Sequence, residues 1–288
     1  MAKSSLGIWV AGARPRTLPA AVAPVLVASA LAGSAFNLVT ACLALLVSLA
    51  LQVGVNYAND YSDGVRGTDT NRVGPTRLVA SELATPASVK IASLLSFLVA
   101  AIAGTLLSFN TSLWLIAVGA VSILAAWGYT GGKRPYGYLG FGELSVFIFF
   151  GLVATVGSYY VQVEQISWNA VLLAIPMGCL SCSILVINNL RDLPQDALVN
   201  KRTLAVRLGD KKTRIFYALL LILAQITAAL AGAINYKLLL TLIWIPLTYN
   251  ALMQVLKGAD SKELISVLGK TSKLQLLLAV TLAACLLI

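Results

Sequence analysis

Two short strings concentrate most of the chemistry open to this 288-residue chain. Residues 56 to 63 read N-Y-A-N-D-Y-S-D, which places Asn56, Asp60 and Asp63 at i, i+4 and i+7. Residues 188 to 196 read N-N-L-R-D-L-P-Q-D, which places Asn188, Asp192 and Asp196 at i, i+4 and i+8. At 100° per residue the first set falls within about 60° of one helix face, so each string offers an acidic face with a carboxamide one turn before it. A solvated loop acid or a partner for a nearby arginine explains one such aspartate, but explains the repeated pattern poorly. Oxygen ligands of this kind suit a hard divalent cation, Mg²⁺ in particular, which is held by one or two carboxylates together with substrate phosphates. The expectation is that Asp60, Asp63, Asp192 and Asp196 are catalytic and that they serve two metal sites together with Asn56 and Asn188.

Cations flank both strings. Arg66, Arg72 and Arg77 follow the first, Lys201 and Arg202 follow the second, and Lys133 with Arg134 lie in the glycine-rich stretch Y-T-G-G-K-R-P-Y-G. Any one of them taken alone reads more readily as a charge that sets topology. Their convergence on the carboxylates favours a diphosphate, because Arg forks and Lys charges neutralise a leaving group that metals already grip. Arg72, Arg77, Lys133, Arg134, Lys201 and Arg202 are therefore the candidate diphosphate ligands, and Gly131 and Gly132 would let backbone N–H groups approach a phosphate. Histidine is absent, which excludes an imidazole base, a Ser-His-Asp triad and His-ligated metals. With no evident nucleophile, the reaction left to such a site is metal-assisted departure of pyrophosphate to give an allylic cation, captured by an electron-rich acceptor.

These groups must be positioned by membrane helices. The chain is 59% hydrophobic and 11% charged, where soluble proteins carry about 25% charged residues. Nine apolar runs are long enough to cross a core of about 30 Å: 17 to 36, 38 to 58, 88 to 108, 111 to 129, 142 to 161, 169 to 190, 214 to 234, 237 to 256 and 273 to 288. They leave connections too short for a separate soluble domain, so one polytopic domain over 1–288 is expected. Ala28 and Ala30 form an A-x-A pattern, read as part of a retained first helix because a polar lead precedes it. Cys42, Cys179, Cys182 and Cys285 all fall in apolar runs and are expected to be small buried residues.

If the runs alternate across the membrane, twenty of the 21 Lys and Arg residues fall on one side and Lys237 alone on the other. The positive-inside rule then puts the N-terminus and both aspartate strings at the cytoplasmic face and the C-terminus outside. The same distribution explains the net charge of +10 without nucleic acid, and membrane lipid is the expected surrounding partner. Asp60 and Asp192 are 132 residues apart and the runs starting at 17 and 142 are 125 apart, which suggests two four-helix quasi-repeats with a ninth helix left over. Both acidic strings end runs that travel inward, at helix C-termini where the macrodipole already supplies negative potential, so folding alone does not account for them.

At these residues the sequence resembles the UbiA superfamily of intramembrane prenyltransferases, in the motifs N-D-Y-S-D (59 to 63) and D-L-P-Q-D (192 to 196). Within it, A-R-P-R-T-L-P-A (13 to 20), N-x-x-N-D-Y-x-D-x-x-x-G-x-D (56 to 69), G-P-T-R-L (74 to 78) and K-R-T-L-A-V (201 to 206) are most similar to the branch that prenylates 1,4-dihydroxy-2-naphthoate for menaquinone synthesis. The resemblance implies an all-α integral membrane fold of nine helices, Mg²⁺ as cofactor, and a polyprenyl diphosphate and 1,4-dihydroxy-2-naphthoate as substrates. Glu82 and Asn200 depart from it, standing where the family pattern has glycine. Asp69, Tyr61 and Tyr129 are candidate acceptor contacts, with Arg77 nearby and Tyr136 a further aromatic that could face the cation. A related enzyme for 4-hydroxybenzoate, homogentisate or haem differs only in acceptor. A secondary transporter fits less well, since its acids would sit near the bilayer midplane. A CDP-alcohol phosphotransferase lacks its D-G-x-x-A-R signature here.

Overall fold

In a computed structural model, residues 5–68, 74 and 76–288 are described, and every regular element among them is helical. In chain order the helices are α1 (Ser5–Ala13), α2 (Pro19–Leu31), α3 (Leu38–Val65), α4 (Pro86–Asn110), α5 (Leu115–Gly128), α6 (Gly142–Val163), α7 (Trp168–Leu198), α8 (Leu204–Leu208), α9 (Asp210–Ala233), α10 (Tyr236–Leu256) and α11 (Ser261–Leu287). Seven of them, α3, α4, α6, α7, α9, α10 and α11, are long and apolar enough to cross a membrane, so the chain is a multi-pass membrane protein. The expected nine runs all contain helix, but α2 and α5 have only 13 and 14 residues. At 1.5 Å per residue these rise about 20 Å, short of a core of about 30 Å.

Local signals set the ends. The side chains of Asn37, Thr85 and Ser167 accept backbone N–H groups at the starts of α3, α4 and α7, and Asp260 with Glu263 forms a reciprocal capping box on α11. At the other end α3 and α7 run on to Val65 and Leu198, well past the apolar runs that predict them. Hydropathy marks where lipid ends, whereas the backbone keeps its helical hydrogen bonds into the polar turns. Both acidic strings therefore lie on helix rather than in loops.

α7 is the central element, touching α2, α6, α9 and α11, and α2 packs against α11, α6, α3 and α7. Small residues along α2 (Ala20, Ala21, Ala23, Ala28, Ala30) are all buried, which lets four neighbours approach it. In lipid, helix association comes from close packing and interhelical hydrogen bonds, since lipid tails are as apolar as leucine. Both are visible on α7. A Cβ on Gly151 of α6 would stand 2.7 Å from the Gly178 Cα, so only glycine permits that approach, and α6 carries a π-helical segment, Phe147–Val153, at the same level. On a neighbouring face Gln275 Nε2 donates to the Met177 carbonyl at 3.2 Å and to Ser181 Oγ at 2.8 Å. Cys179, Cys182 and Cys285 are buried as expected; Cys42 is exposed on the outer face of α3, because its position on the helix turns it away from the bundle.

Candidate active site

The last turns of α3 hold the first acidic string, and each of its members has a different partner. Asn56 Nδ2 donates to the Ala13 carbonyl at 2.9 Å and to Thr17 Oγ1 at 3.1 Å, which fixes the α1–α2 junction against α3. Asp60 is fully buried, its Oδ2 accepting the Leu78 N–H at 2.8 Å and its Oδ1 the Val79 N–H at 3.0 Å. Asp63, 1% exposed, accepts a hydrogen bond from the Tyr138 hydroxyl at 2.6 Å and lies 3.2 Å from Lys201 Nζ and 3.9 Å from Arg77. Tyr138 stands between two cations, with Arg66 at 5.2 Å and Lys201 at 5.0 Å from its ring centroid. Burial, and then the negative charge of Asp63, push the Tyr138 phenol up to about 12, with Lys201 opposing. It is therefore a proton donor throughout the physiological range.

The second string ends α7. Arg191, 3% exposed, grips Asp192 with two parallel N–H bonds of 2.8 Å. Pro194 falls inside the helix and supplies no N–H to the carbonyl four residues earlier, that of Leu190. Beyond Leu198 the chain turns through Asn200, whose φ of 56° is left-handed, and the Lys201 N–H returns to the Asp196 carbonyl at 2.9 Å. That turn sets Lys201 Nζ 3.8 Å from Asp196 Oδ1 while it touches Asp63. Carboxylates from α3 and α7, 133 residues apart in sequence, thus share one cation.

Of the predicted site residues, the structure brings together Asp63, Asp196, Lys201 and Arg77, with Asp192 and Asp60 one turn away on the same two helices. Lys133, Arg134 and Arg202 are exposed, and Arg72 and Asp69 lie outside the described residues. The Gly131 N–H, expected to face a phosphate, is used by the Trp127 carbonyl at 2.9 Å, and a Cβ there would meet that same oxygen at 2.6 Å. A tight turn, held down by Arg66 donating to the Thr130 and Gly132 carbonyls, explains the glycines. Tyr61 stacks on Trp127 at 6.3 Å under Lys90, outside the lining of the cavities described next.

An apolar cavity of about 270 Å³ runs between α2, α3, α4, α5, α6 and α7. Arg14, Asn56, Asn59, Tyr129, Tyr136 and Asn188 are among its polar lining, with several serines, Thr17 and Gln52, and leucine, valine, phenylalanine, alanine and glycine make up most of the rest. Several buried polar groups near the site escaped the sequence reading. Glu143, buried at the start of α6, accepts from Asn189 Nδ2 at 2.9 Å, while its other oxygen has no partner. A lone acid in an apolar run was the available signal. Tyr138 and Arg191 carried none beyond proximity to the motifs.

The set of donors fits a hard divalent cation. All are oxygens, and the carboxylates of Asp63 and Asp196 already lie within reach of one positive group. Among the described residues no three acidic or thiol side chains gather at one point, so a metal here would take further ligands from water or substrate.

The profile of the UbiA prenyltransferase family matches residues 21–277. The chain belongs to that family. Within it, the chain is 49% identical to a 1,4-dihydroxy-2-naphthoate octaprenyltransferase of Mycobacterium tuberculosis, covering 98% of both chains, and 36% identical to one of Haemophilus influenzae, covering 100% of this chain and 98% of the other. Its fold is that of a UbiA homolog from Aeropyrum pernix K1 (TM-score 0.69, 14% identity, 93% and 95% coverage) and of one from Archaeoglobus fulgidus bound to GPP and Mg²⁺ (TM-score 0.63, 12% identity, 96% and 99% coverage).

Proposed function

We propose that this UbiA-family enzyme transfers a polyprenyl group from a polyprenyl diphosphate to 1,4-dihydroxy-2-naphthoate, releasing pyrophosphate and CO₂ and leaving demethylmenaquinol. The convergence of Asp63 and Asp196 on one cationic position, beside an apolar cavity, carries this reading, and the names of the near-full-length relatives support the acceptor. Asp63 and Asp196 would hold Mg²⁺, with Asp192 and the carboxamides of Asn56 and Asn188 around it, and Asp60 fixes the 78–79 turn that carries Arg77. Bound Mg²⁺ supplies positive charge to the departing diphosphate. Lys201 and Arg77 add theirs from within the site, and Lys133, Arg134 and Arg202 from its rim. The allylic C–O bond breaks with its electron pair going to the diphosphate, and the rings of Tyr129 and Tyr136 face the cation left in the cavity. The naphthoate carbon bearing the carboxylate donates its π electrons to form the new C–C bond. The C–COO⁻ bond then breaks, its electrons return to the ring, and CO₂ leaves.

In this reading α2 and α5 complete a single nine-helix domain of two quasi-repeats and a ninth helix, set in the cytoplasmic membrane of the cell. The N-terminus and aspartates face the cytoplasm, and the C-terminus lies outside. Purified protein supplied with Mg²⁺, a polyprenyl diphosphate and carboxyl-labelled 1,4-dihydroxy-2-naphthoate tests the reaction. Label should leave as CO₂ in step with pyrophosphate, EDTA should stop both, and Mg²⁺ should restore them. Retention of label in a prenylated product, or consumption of 4-hydroxybenzoate alone, would overturn the assignment.

A further inference from the structure

Asn56 opens the first acidic string with a carboxamide, where a third carboxylate would offer a metal a charged ligand. Its neighbours explain the choice. Three polar side chains meet there: Gln52 and Asn56, one turn apart on α3, and Thr17 at the α1–α2 junction. All three line the apolar cavity. Thr17 and Arg14 also line a second cavity, of about 470 Å³, that reaches the end of α7 and the start of α11, so the junction is a wall between two spaces.

The hydrogens of this cluster can be accounted for one by one. The Thr17 hydroxyl and N–H both donate to the Arg14 carbonyl at 2.9 Å, which holds Arg14 in a left-handed conformation with φ of 54°. With its one hydrogen spent, the Thr17 hydroxyl oxygen can only accept. It accepts twice, from Asn56 Nδ2 and from Gln52 Nε2, each at 3.1 Å. Asn56 Nδ2 gives its second hydrogen to the Ala13 carbonyl at 2.9 Å. Both hydrogens of the Asn56 amide are thereby committed to the junction. The rotated amide is excluded, because it would set its oxygen against the Ala13 carbonyl oxygen, and an aspartate at this position fails in the same way. Asn56 Oδ1 receives Gln52 Nε2 at a long 3.4 Å, and a carbonyl oxygen keeps a second lone pair for a cation.

We propose that Thr17 and Gln52 are positioning residues for the metal site. They lock the Asn56 carboxamide so that its oxygen, and not its NH₂ group, is the atom available to a cation, and the site is complete only when the α1–α2 junction is seated against α3. Both side chains act through Asn56. This rests on the reading of the acidic strings as a Mg²⁺ site.

The test measures Mn²⁺ binding by electron paramagnetic resonance on the full chain in detergent, with an unreactive prenyl thiodiphosphate present, and thermal unfolding in EDTA alongside. Thr17→Val keeps the shape and removes the hydroxyl, so the Mn²⁺ Kd should rise about tenfold, equivalent to about 1.4 kcal/mol. Thr17→Ser, which retains the hydroxyl, should bind Mn²⁺ like wild type. Asn56→Ala should raise the Kd as far, and in that background Thr17→Val and Gln52→Leu should add nothing, because the amide they act through is gone. Gln52→Leu alone should weaken Mn²⁺ binding about threefold, which decides the matter by itself if Thr17→Val does not fold. Wild-type Mn²⁺ affinity in Thr17→Val or Gln52→Leu, with a lowered unfolding temperature, would make the cluster a structural joint alone and overturn the proposal. Losses that persist undiminished in the Asn56→Ala background would also overturn it. If Asn56→Ala itself binds Mn²⁺ like wild type, the proposal fails while the Asp63–Asp196 site stands. If wild type binds no Mn²⁺, the metal reading fails and takes the proposal with it.

Discussion

Asp60 and Asp63 lie three residues apart on one helix face, yet one is satisfied by backbone amides and the other by the side chains of Tyr138, Lys201 and Arg77. That difference separates their roles. Asp60→Asn puts an amide NH₂ against a backbone N–H, which costs about 1–3 kcal/mol, and should lower the thermal unfolding temperature in EDTA together with activity. Asp63→Asn should abolish Mg²⁺-dependent turnover with little change in that temperature, and equal thermal losses in the two variants would contradict the distinction. Tyr138→Phe removes the hydroxyl that donates to Asp63, and a charge-assisted bond of about 1.5–3 kcal/mol implies a loss of kcat/KM of about ten- to a hundredfold. Since the folded-state pKa of Tyr138 is raised from 10 to about 12, its contribution to stability is fully present below pH 10 and lost as pH rises through 12. A pH series of unfolding temperatures on wild type and Tyr138→Phe should therefore converge only at high pH. The grouping of Asp63 with Asn56 and Asp60, and of Asp196 with Asn188 and Asp192, was legible in the sequence because helical spacing sets which side chains share a face of one helix; the approach of Asp63 and Asp196 to one lysine is set by packing between the two helices. The partners of Asp60, the fork of Arg191 on Asp192 and the Glu143–Asn189 pair were not, since tertiary packing chooses them.

At the scale of elements, the apolar runs located the helices but not their ends or irregularities. The π-helical turn of α6 and the 3₁₀ start of α10 at Tyr236–Trp244 leave no mark in hydropathy, because lipid selects for apolar side chains whatever the helical pitch. Glycine patterning was more informative. The two positions where this sequence departs from the family's glycines, Glu82 and Asn200, both have φ of 56°. A β-carbon in that region costs about 1–2 kcal/mol, less for asparagine. Glu82→Gly should therefore stabilise the protein by about 1 kcal/mol, read as a higher unfolding temperature, while Glu82→Ala should not. A stabilising alanine would show that side-chain contacts, not backbone strain, govern the turn.

The whole molecule presents one functional end, where α1, the turn after α3, the loop after α5 and the end of α7 meet. We propose from the charge distribution that this end faces the cytoplasm, which is open to direct test. In a Cys42→Ser background, cysteines at Ser81 and Leu198, both exposed, should resist an impermeant thiol reagent added to intact cells and react in inverted vesicles. Labelling from outside would reverse the orientation. The central claim is that the α3 and α7 aspartates form one cation site. Its most direct test is Mn²⁺ binding followed by electron paramagnetic resonance in wild type, Asp63→Asn, Asp196→Asn and the double variant, with an unreactive prenyl thiodiphosphate present. Shared coordination predicts that each single substitution weakens Mn²⁺ binding at least tenfold and that the double variant is little worse than either single, a coupling of about 1.4 kcal/mol or more. Full additivity of the two losses, or wild-type binding in either single variant, would contradict it.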